Sequence, residues 1–376
     1  MTATATRRRK STGIHLSRQT LLGLLKDVAS VVPARSPKPV LTNVCIRDGV
    51  LTANDLELQI SCEIEWDHEP LLLPHARLRS ILDAATGDDV TLAPDGTACT
   101  VKCGRGEWRL PVEDAAEFPI SEPENLESVC RIPCDQFVRA VRSVAYAADT
   151  ESSRFALGAV LIQIEGDKCH FVATDGRRLG VATVEHDQAV DDRQVLVPER
   201  AVLLMANVSA KTENDDNAVQ LLASKAELVA EIGSTTITAR MTEGRFPRWA
   251  DVIPERDASG MHTADLTALL SATRAAAIVT TETSKGVEYA FGENGVRLHG
   301  QSSESGESTV ECDLIEAGTA GTVKLDPKYV ADACKALSWL GEPNVRISIA
   351  GPGDAVLIVT GEDDEYRTVI MPLAAD

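Results

Sequence analysis

Val195-Leu-Val-Pro-Glu-Arg-Ala-Val-Leu-Leu-Met205 is a short apolar run that meets a proline and passes into a helical spacing marked by Val202, Leu203 and Met205. The same passage occurs twice more. Leu71-Leu-Leu-Pro74 leads to Leu78, Ile81 and Leu82, and Val323-Lys-Leu-Asp326 leads to Val330, Ala333 and Leu337. Proline is tolerated in the first turn of a helix and aspartate caps it, so positions 74, 198 and 326 read as helix starts. They lie 124 and 128 residues apart in a chain of 376, which is close to three equal parts. A repeat of this length means three copies of one unit.

Upstream of each anchor runs a second amphipathic segment. Residues 17–32 carry Leu21, Leu25, Val28 and Val32; 134–148 carry Phe137, Val141, Val144 and Ala148; 264–279 carry Leu266, Leu269, Leu270 and Ala277. Spacings of three and four put these side chains on one helical face. Alternating strand-like runs with turn signals fill the intervals, so each third reads helix, strands, helix, strands. Glu117-Phe-Pro119 closes the first third as Arg245-Phe-Pro247 closes the second. The expected division is a disordered basic arm over 1–13, then units over 14–127, 128–254 and 255–376.

The chain has 37 Lys+Arg against 57 Asp+Glu, a formal charge of −20, 44% apolar residues and 4% aromatics. No window approaches the roughly 20 uninterrupted apolar residues of a membrane span, and the apolar content is that of a folded chain. Nine cysteines with no secretory leader ahead of them indicate a reducing compartment, a bacterial-type cytoplasm. Cys99/Cys103 and Cys130/Cys134 lack the spacing of a zinc knuckle, and the histidines nearest to them belong to other segments, so no metal is expected.

An acidic chain ordinarily repels nucleic acid, whose binding requires neutralised phosphates. The distribution matters more than the total. The six helical segments hold ten basic residues and seven acids, net +3, which leaves 27 basic and 50 acidic residues, net −23, on everything else. Asp135, Glu199, Asp265 and Asp326 stand at helix starts, where a carboxylate serves the helix dipole. Basic helices and acidic sheets allow one face to meet phosphate while the rest repels it, although mild helix basicity is also common in itself.

Tests for chemistry fail. Gly104-Arg-Gly106 reads as a hairpin turn and not as a nucleotide loop; His186 to Asp192 lacks the glycine of a calcium loop and reads as a solvated loop; Asn54-Asp55 and Thr174-Asp175 recur at like positions and read as turns, not as an acid–base couple. No catalytic constellation and no cofactor site emerges. Few aromatics also argue against a stacking platform for single strands.

Phe171-Val-Ala-Thr-Asp-Gly-Arg-Arg-Leu-Gly180 resembles a signature of the bacterial sliding-clamp family, the beta subunit of DNA polymerase III, as do Gly244-Arg-Phe-Pro247 with Val252-Ile-Pro254 and the terminal Val369-Ile-Met-Pro-Leu373. The resemblance runs from about Ile14 to Leu373. It implies an α+β fold of three repeated clamp domains, helices on one face of antiparallel sheets, joined head to tail as a homodimeric ring around duplex DNA. It implies a processivity subunit, not an enzyme, touching double-stranded DNA without sequence preference through Arg35, Arg139, Arg142, Arg154 and Arg200. Partners implied are the polymerase III alpha subunit, the clamp-loader delta subunit, repair polymerases and mismatch-repair factors, with no membrane. Their peptides would enter a cleft formed by Leu157, Thr174, Gly176, Arg177, Arg178, Leu179, Pro247, Val252, Tyr329, Ala355, Val369, Ile370, Met371, Pro372 and Leu373. The dimer seam would join Trp108 and Leu110 to Ile278 and Val279. Asp251, Ala156 and the closing Ala374-Ala-Asp376 depart from the family pattern, so the cleft rim should differ in charge. A peptide-binding repeat scaffold that does not encircle DNA is the alternative from another class.

Overall fold

A computed structural model describes residues 13–149, 155–186, 191–212, 217–255, 260–281, 284, 286–361 and 365–374. Arg154, residues 1–12 of the basic arm and residues 187–190 of the His186 loop lie outside them.

One order of elements recurs three times. The first repeat runs β1 (Ile14–Ser17), α1 (Arg18–Asp27), β2 (Asn43–Arg47), β3 (Val50–Asn54), β4 (Leu58–Glu63), β5 (Leu71–Pro74), α2 (His75–Ala84), β6 (Asp89–Asp95), β7 (Ala98–Cys103) and β8 (Gly106–Pro111). The second runs β9 (Glu127–Pro133), α3 (Cys134–Val144), β10 (Ala159–Glu165), β11 (Lys168–Thr174), β12 (Arg178–Glu185), β13 (Arg193–Pro198), α4 (Glu199–Ser209), β14 (Ala218–Ala223), β15 (Glu227–Ile232) and β16 (Thr235–Arg240). The third runs β17 (His262–Asp265), α5 (Leu266–Ala276), β18 (Val287–Gly292), β19 (Gly295–Ser302), β20 (Gly306–Cys312), β21 (Gly321–Leu325), α6 (Pro327–Leu337), β22 (Asn344–Ser348), β23 (Val356–Thr360) and β24 (Tyr366–Ile370).

The helices start where the sequence places them. Ser17, Asp265 and Asp326 accept backbone N–H groups of the first turn through their side chains, and Pro74, Pro133 and Pro198 stand at the other three starts. Four helices end earlier than their apolar pattern, which continues through tighter 3-10 turns at Val28–Ser30, Ala145–Ala147, Ala277–Val279 and Ser338–Leu340. The expected order lacks one element, the short strand ahead of the first helix in each repeat. β1 and β17 are four residues long, too short for alternation to show, and are held by pairing with β6 and β22.

By packing, the chain divides into two units, Met1–Glu127 with Ala223–Arg240, and Ser128–Leu222 with Met241–Asp376. In the first, strands run β1-β6-β7-β8 in one sheet and β5-β2-β3-β4-β16-β15 in another, and α1 packs beside α2, with Leu21, Leu25, Leu78 and Leu82 of the two helices buried. In the second, β13-β10-β11-β12 continue edge to edge into β24-β23-β22-β17, and β20-β19-β18-β21 form a separate sheet. Helix α3 lies against α4 and α5 against α6. Phe137 of α3 meets Phe171 of β11 edge-on at 5.6 Å, and α3 approaches β12 so closely that a Cβ on Gly180 would lie 3.1 Å from the Val144 Cα. Phe118 and Phe246, the two echoed Phe-Pro positions, are both buried in their own clusters.

Two strand seams thus join one repeat to the next, β4 to β16 and β12 to β24. They share a register. Leu58 faces Ala239 and Ile60 faces Ile237 in the first; Arg178 faces Ile370 and Gly180 faces Thr368 in the second. Strands β8 and β20 are sheet edges with no neighbour on one side among the described residues.

All nine cysteines are buried and unbridged. Burial raises the thiols of Cys62 and Cys99 to about 11 and that of Cys334 to about 12. Cys130 and Cys169 are neighbours, sulfur to sulfur 4.0 Å.

Candidate functional site

The turn between β11 and β12 sets the geometry of an apolar cleft. Thr174 Oγ1 accepts the Gly176 N–H at 3.0 Å and donates to the Arg178 carbonyl at 2.7 Å, while Asp175 Oδ1 accepts the N–H groups of Arg177 and Arg178 at 2.8 and 2.9 Å. The β3–β4 turn is built the same way. Asn54 Oδ1 accepts from Leu56, and Asp55 Oδ1 accepts from Glu57 and Leu58. Both aspartates are turn formers, as expected. The central residue is left-handed in each, at φ +86° for Gly176 and +81° for Leu56, so glycine relaxes in the second turn what leucine strains in the first.

Arg178 locks this turn. Its Nε donates to Asp175 Oδ2 at 3.0 Å, its Nη1 donates to Asp332 Oδ2 of α6 at 3.1 Å, and its guanidinium lies 4.7 Å from the Tyr329 ring and 5.2 Å from the Tyr146 ring. The side chain is only 10% exposed. It is a strut between two elements, with its donors directed into the protein.

Beside the strut, Leu179 and Val369 face one another across β12 and β24 and form the floor of a cleft of about 180 Å³. Leu157, Thr174, Gly176, Arg177, Arg178, Pro247, Val252 and Met371 also line it. Val252 and Met371 are 53% and 45% exposed, apolar side chains held open at the rim. A concave apolar floor with exposed apolar rims favours a segment with a few apolar side chains over a polar metabolite.

Five of the anticipated cleft residues lie behind or beside it. Ile370 is fully buried opposite Arg178; Ala355 packs on the cluster beneath; Tyr329 lies under the guanidinium; Pro372 and Leu373 follow the Met371 N–H, which donates to the Arg177 carbonyl at 2.8 Å, and the Leu373 N–H donates to the Lys324 carbonyl at 2.8 Å. The sequence reading missed Arg248 and Trp249, which do line the cavity. Trp249 is fixed by its Nε1–H, donating to Gln163 Oε1 at 3.0 Å, and by the His170 ring at 5.4 Å. A tryptophan two residues after Phe-Pro was the available signal. At the rim Asp251 pairs with Arg248 at 3.1 Å, so the departure at 251 is met by a local cation.

The arginines anticipated to face DNA differ in exposure. Arg35, in the loop after α1, is exposed, as are Arg139 of α3 and Arg200 of α4. Arg142 is half-buried; its Nη2 donates to Asn207 Oδ1 at 3.3 Å and its guanidinium covers the Trp339 ring at 4.2 Å. Of the seam residues, Leu110 is buried within its own sheet, and Trp108 is half-buried with its ring over Gly106. Ile278 is 80% exposed and Val279 is half-buried.

Among the described residues no group of three or more His, Cys, Asp or Glu gathers as a metal site, and no helix is long and apolar enough to cross a membrane. Repeated sheets, paired helices and an apolar cleft define a binding protein. Family models for the N-terminal, central and C-terminal domains of the DNA polymerase III beta subunit match residues 12–122, 131–248 and 250–374. The chain belongs to the DNA polymerase III beta subunit family. It is similar to the beta sliding clamps of Caulobacter vibrioides, 26% identical over 373 residues, and of Escherichia coli K12, 25% over 367, with 95% of this chain and 98% of each relative covered. Its fold superimposes on the crystal structure of the Caulobacter crescentus beta sliding clamp with a TM-score of 0.85, at 25% identity, covering 96% of this chain and 99% of that one. A Pseudomonas aeruginosa clamp bound to griselimycin aligns with a TM-score of 0.87 at 23% identity, over 96% and 99%. The role is therefore that of a sliding clamp, a polymerase subunit and not an enzyme.

Proposed function

We propose that two copies of this chain close head to tail into a ring around duplex DNA and that the Leu179–Val369 cleft holds its partners by short apolar-anchored peptides. One observation carries the ring. The chain joins its repeats twice by the same edge-to-edge pairing and has one edge of each kind left over, β8 and β20. An unpaired edge is a template for another strand, and a second copy supplies both complements at once.

Exposed Arg35, Arg139 and Arg200, with Arg142 braced on Trp339, would meet phosphates independently of sequence. Arg154 belongs to the same set. The acidic remainder of the chain would keep DNA from adhering elsewhere. The polymerase alpha subunit, the clamp-loader delta subunit and repair and mismatch-repair factors would use the cleft, in the cytoplasm, and the three domains would meet near residues 127 and 254. The decisive experiment loads the protein on DNA in the presence of a clamp loader. Retention on closed circles at salt that strips ordinary contacts, with loss from linear DNA, is the expected result. Equal retention on both would leave a peptide-binding scaffold that does not encircle DNA.

A further inference from the structure

The two internal seams are a template for the contact between copies. Resting on the ring reading above, we infer that β8 of one copy pairs antiparallel with β20 of the other in a single register, which sets Arg109 against Glu307 of the partner subunit and Arg105 against Glu311 of the partner subunit.

The register follows from equivalent positions. In the hairpins that precede the seams, Asn54 faces Gln59, Thr174 faces Leu179 and Gln301 faces Glu307. One residue on from Gln59 and Leu179 stand Ile60 and Gly180; the β19–β20 hairpin closes one pair further, at Ser302 with Gly306, and the helix contacts fix the equivalent there as Ser308: Gly180 lies under Val144, the last residue of α3, and Ser308 Oγ donates to the carbonyl of Ala276, the last residue of α5, at 2.8 Å. On the other side, β7–β8 and β15–β16 are both closed by two-residue turns with glycine first, Gly104 at φ +57° and Gly233 at φ +56°. Trp108 thus corresponds to Ile237 and, through the β23–β24 hairpin, to Thr368. Both internal seams place these residues opposite one another, Ile60 with Ile237 and Gly180 with Thr368. Carried to the open edges, the rule puts Trp108 against Ser308 of the partner subunit. Arg109 then faces Glu307 of the partner subunit, and Glu107 faces Thr309 of the partner subunit. The next step corresponds to the Glu63 N–H donating to the Ser234 carbonyl at 3.0 Å, and it brings Arg105 to Glu311 of the partner subunit.

Two independent features agree with this register. Tyr146, in the 3-10 turn after α3, shares a hydrogen bond with Thr368 at 3.1 Å; the corresponding residue after α5 is Ile278, which is 80% exposed because its own sheet offers no strand at that place. A partner's Trp108 would cover it. Charge then selects among registers that keep the same faces. A shift of two residues in one direction sets Glu107 against Glu307 of the partner subunit, and in the other against Glu311 of the partner subunit. Like charges directly opposed in a sheet are destabilising, and a one-residue slip turns every side chain to the wrong face. In the inferred register Glu107 is instead left to its own Lys102, 3.1 Å away.

The test uses full-length protein with paired cysteines, read as covalent dimer on non-reducing gels after mild oxidation by a disulfide reagent. R109C with E307C should link; R109C with T309C and E107C with E307C, which report the two shifted registers, should link at least roughly tenfold more slowly, because a disulfide requires Cβ atoms about 4 Å apart. Faster linking by either shifted pair would overturn the register while leaving a dimer, and a monomeric mass for the unmodified protein would overturn both readings. In parallel, R109E should weaken the dimer by roughly fivefold or more across two seams, and E307R in the same chain should restore it. Failure of that restoration would also overturn the pairing.

Discussion

Arg178→Ala removes the strut behind the cleft, and the geometry sets the size of the effect. Two charge-assisted hydrogen bonds at 3.0 and 3.1 Å are lost from a side chain that is 10% exposed. Breaking a fully buried ion pair costs about 3–5 kcal/mol because a charge is left uncompensated. Here both carboxylates keep other partners: Asp175 still accepts two backbone N–H groups, and Asp332 still has Lys335 at 3.4 Å. The loss should therefore fall to about 2–3 kcal/mol, and at roughly 2–4 °C per kcal/mol for a unit of this size the melting transition should drop by about 4–12 °C. Arg178→Lys keeps the charge but cannot bridge two carboxylates while lying on two rings, so it should recover less than half of the loss. Calorimetry gives the shift, and hydrogen exchange at the first turn of α6 localises it. An alanine variant melting within about 2 °C of the unmodified chain, or a lysine variant indistinguishable from it, would refute the strut.

Met371→Ala at the exposed rim should weaken a polymerase-derived peptide by roughly tenfold in fluorescence polarisation without moving the melting temperature, since a few apolar anchors carry such contacts. Leu56→Gly should stabilise the first unit by about 0.5–1 kcal/mol, read as a raised midpoint in denaturant unfolding, because a leucine at φ +81° and 46% exposed gives up strain and little burial. Gly180→Ala should cost about 1–3 kcal/mol in the same assay on the second unit, since the added methyl meets helix backbone at 3.1 Å. His262 is fully buried; its Nε2 lies 2.9 Å from the Thr319 carbonyl and its Nδ1 accepts the Gly318 N–H at 2.8 Å, which assigns the Nε2–H tautomer. Burial lowers its pKa from the usual 6.5, so protonation favours the unfolded chain. Its contribution is present above pH 6.5 and fades as the pH falls from there through the lowered folded value. The protection of the Gly318 amide, corrected for its intrinsic exchange rate, should fall on acidification below pH 6.5, and a pH-independent protection factor would contradict this.

The repeat and its six helices were legible because proline, aspartate and apolar spacing act locally. Asp55 and Asp175 were legible as turn formers for the same reason. What escaped depends on residues distant in the chain. Strands β1 and β17 acquire their conformation only by pairing with β6 and β22, and Ile14 or His262 carries no mark of it. Arg177 and Arg178 look alike in sequence, yet one is exposed and the other is enclosed by Asp332, Tyr329 and Tyr146 from elsewhere in the fold. Trp249 was overlooked because its role comes from Gln163, across the sheet. The flanking Glu107 and Arg109 do not decide how far Trp108 is covered; the bare Gly106 does, by giving its ring a surface to lie on.

The burial of all nine thiols has a practical side. A thiol must meet its reagent, and all nine are shut away from solvent; those of Cys62, Cys99 and Cys334, raised to about 11, 11 and 12, also form very little thiolate at neutral pH. A cysteine introduced on the surface should therefore take up a maleimide dye or spin label alone, with no need to strip the native ones. The natural chain is already a background for single-site labelling.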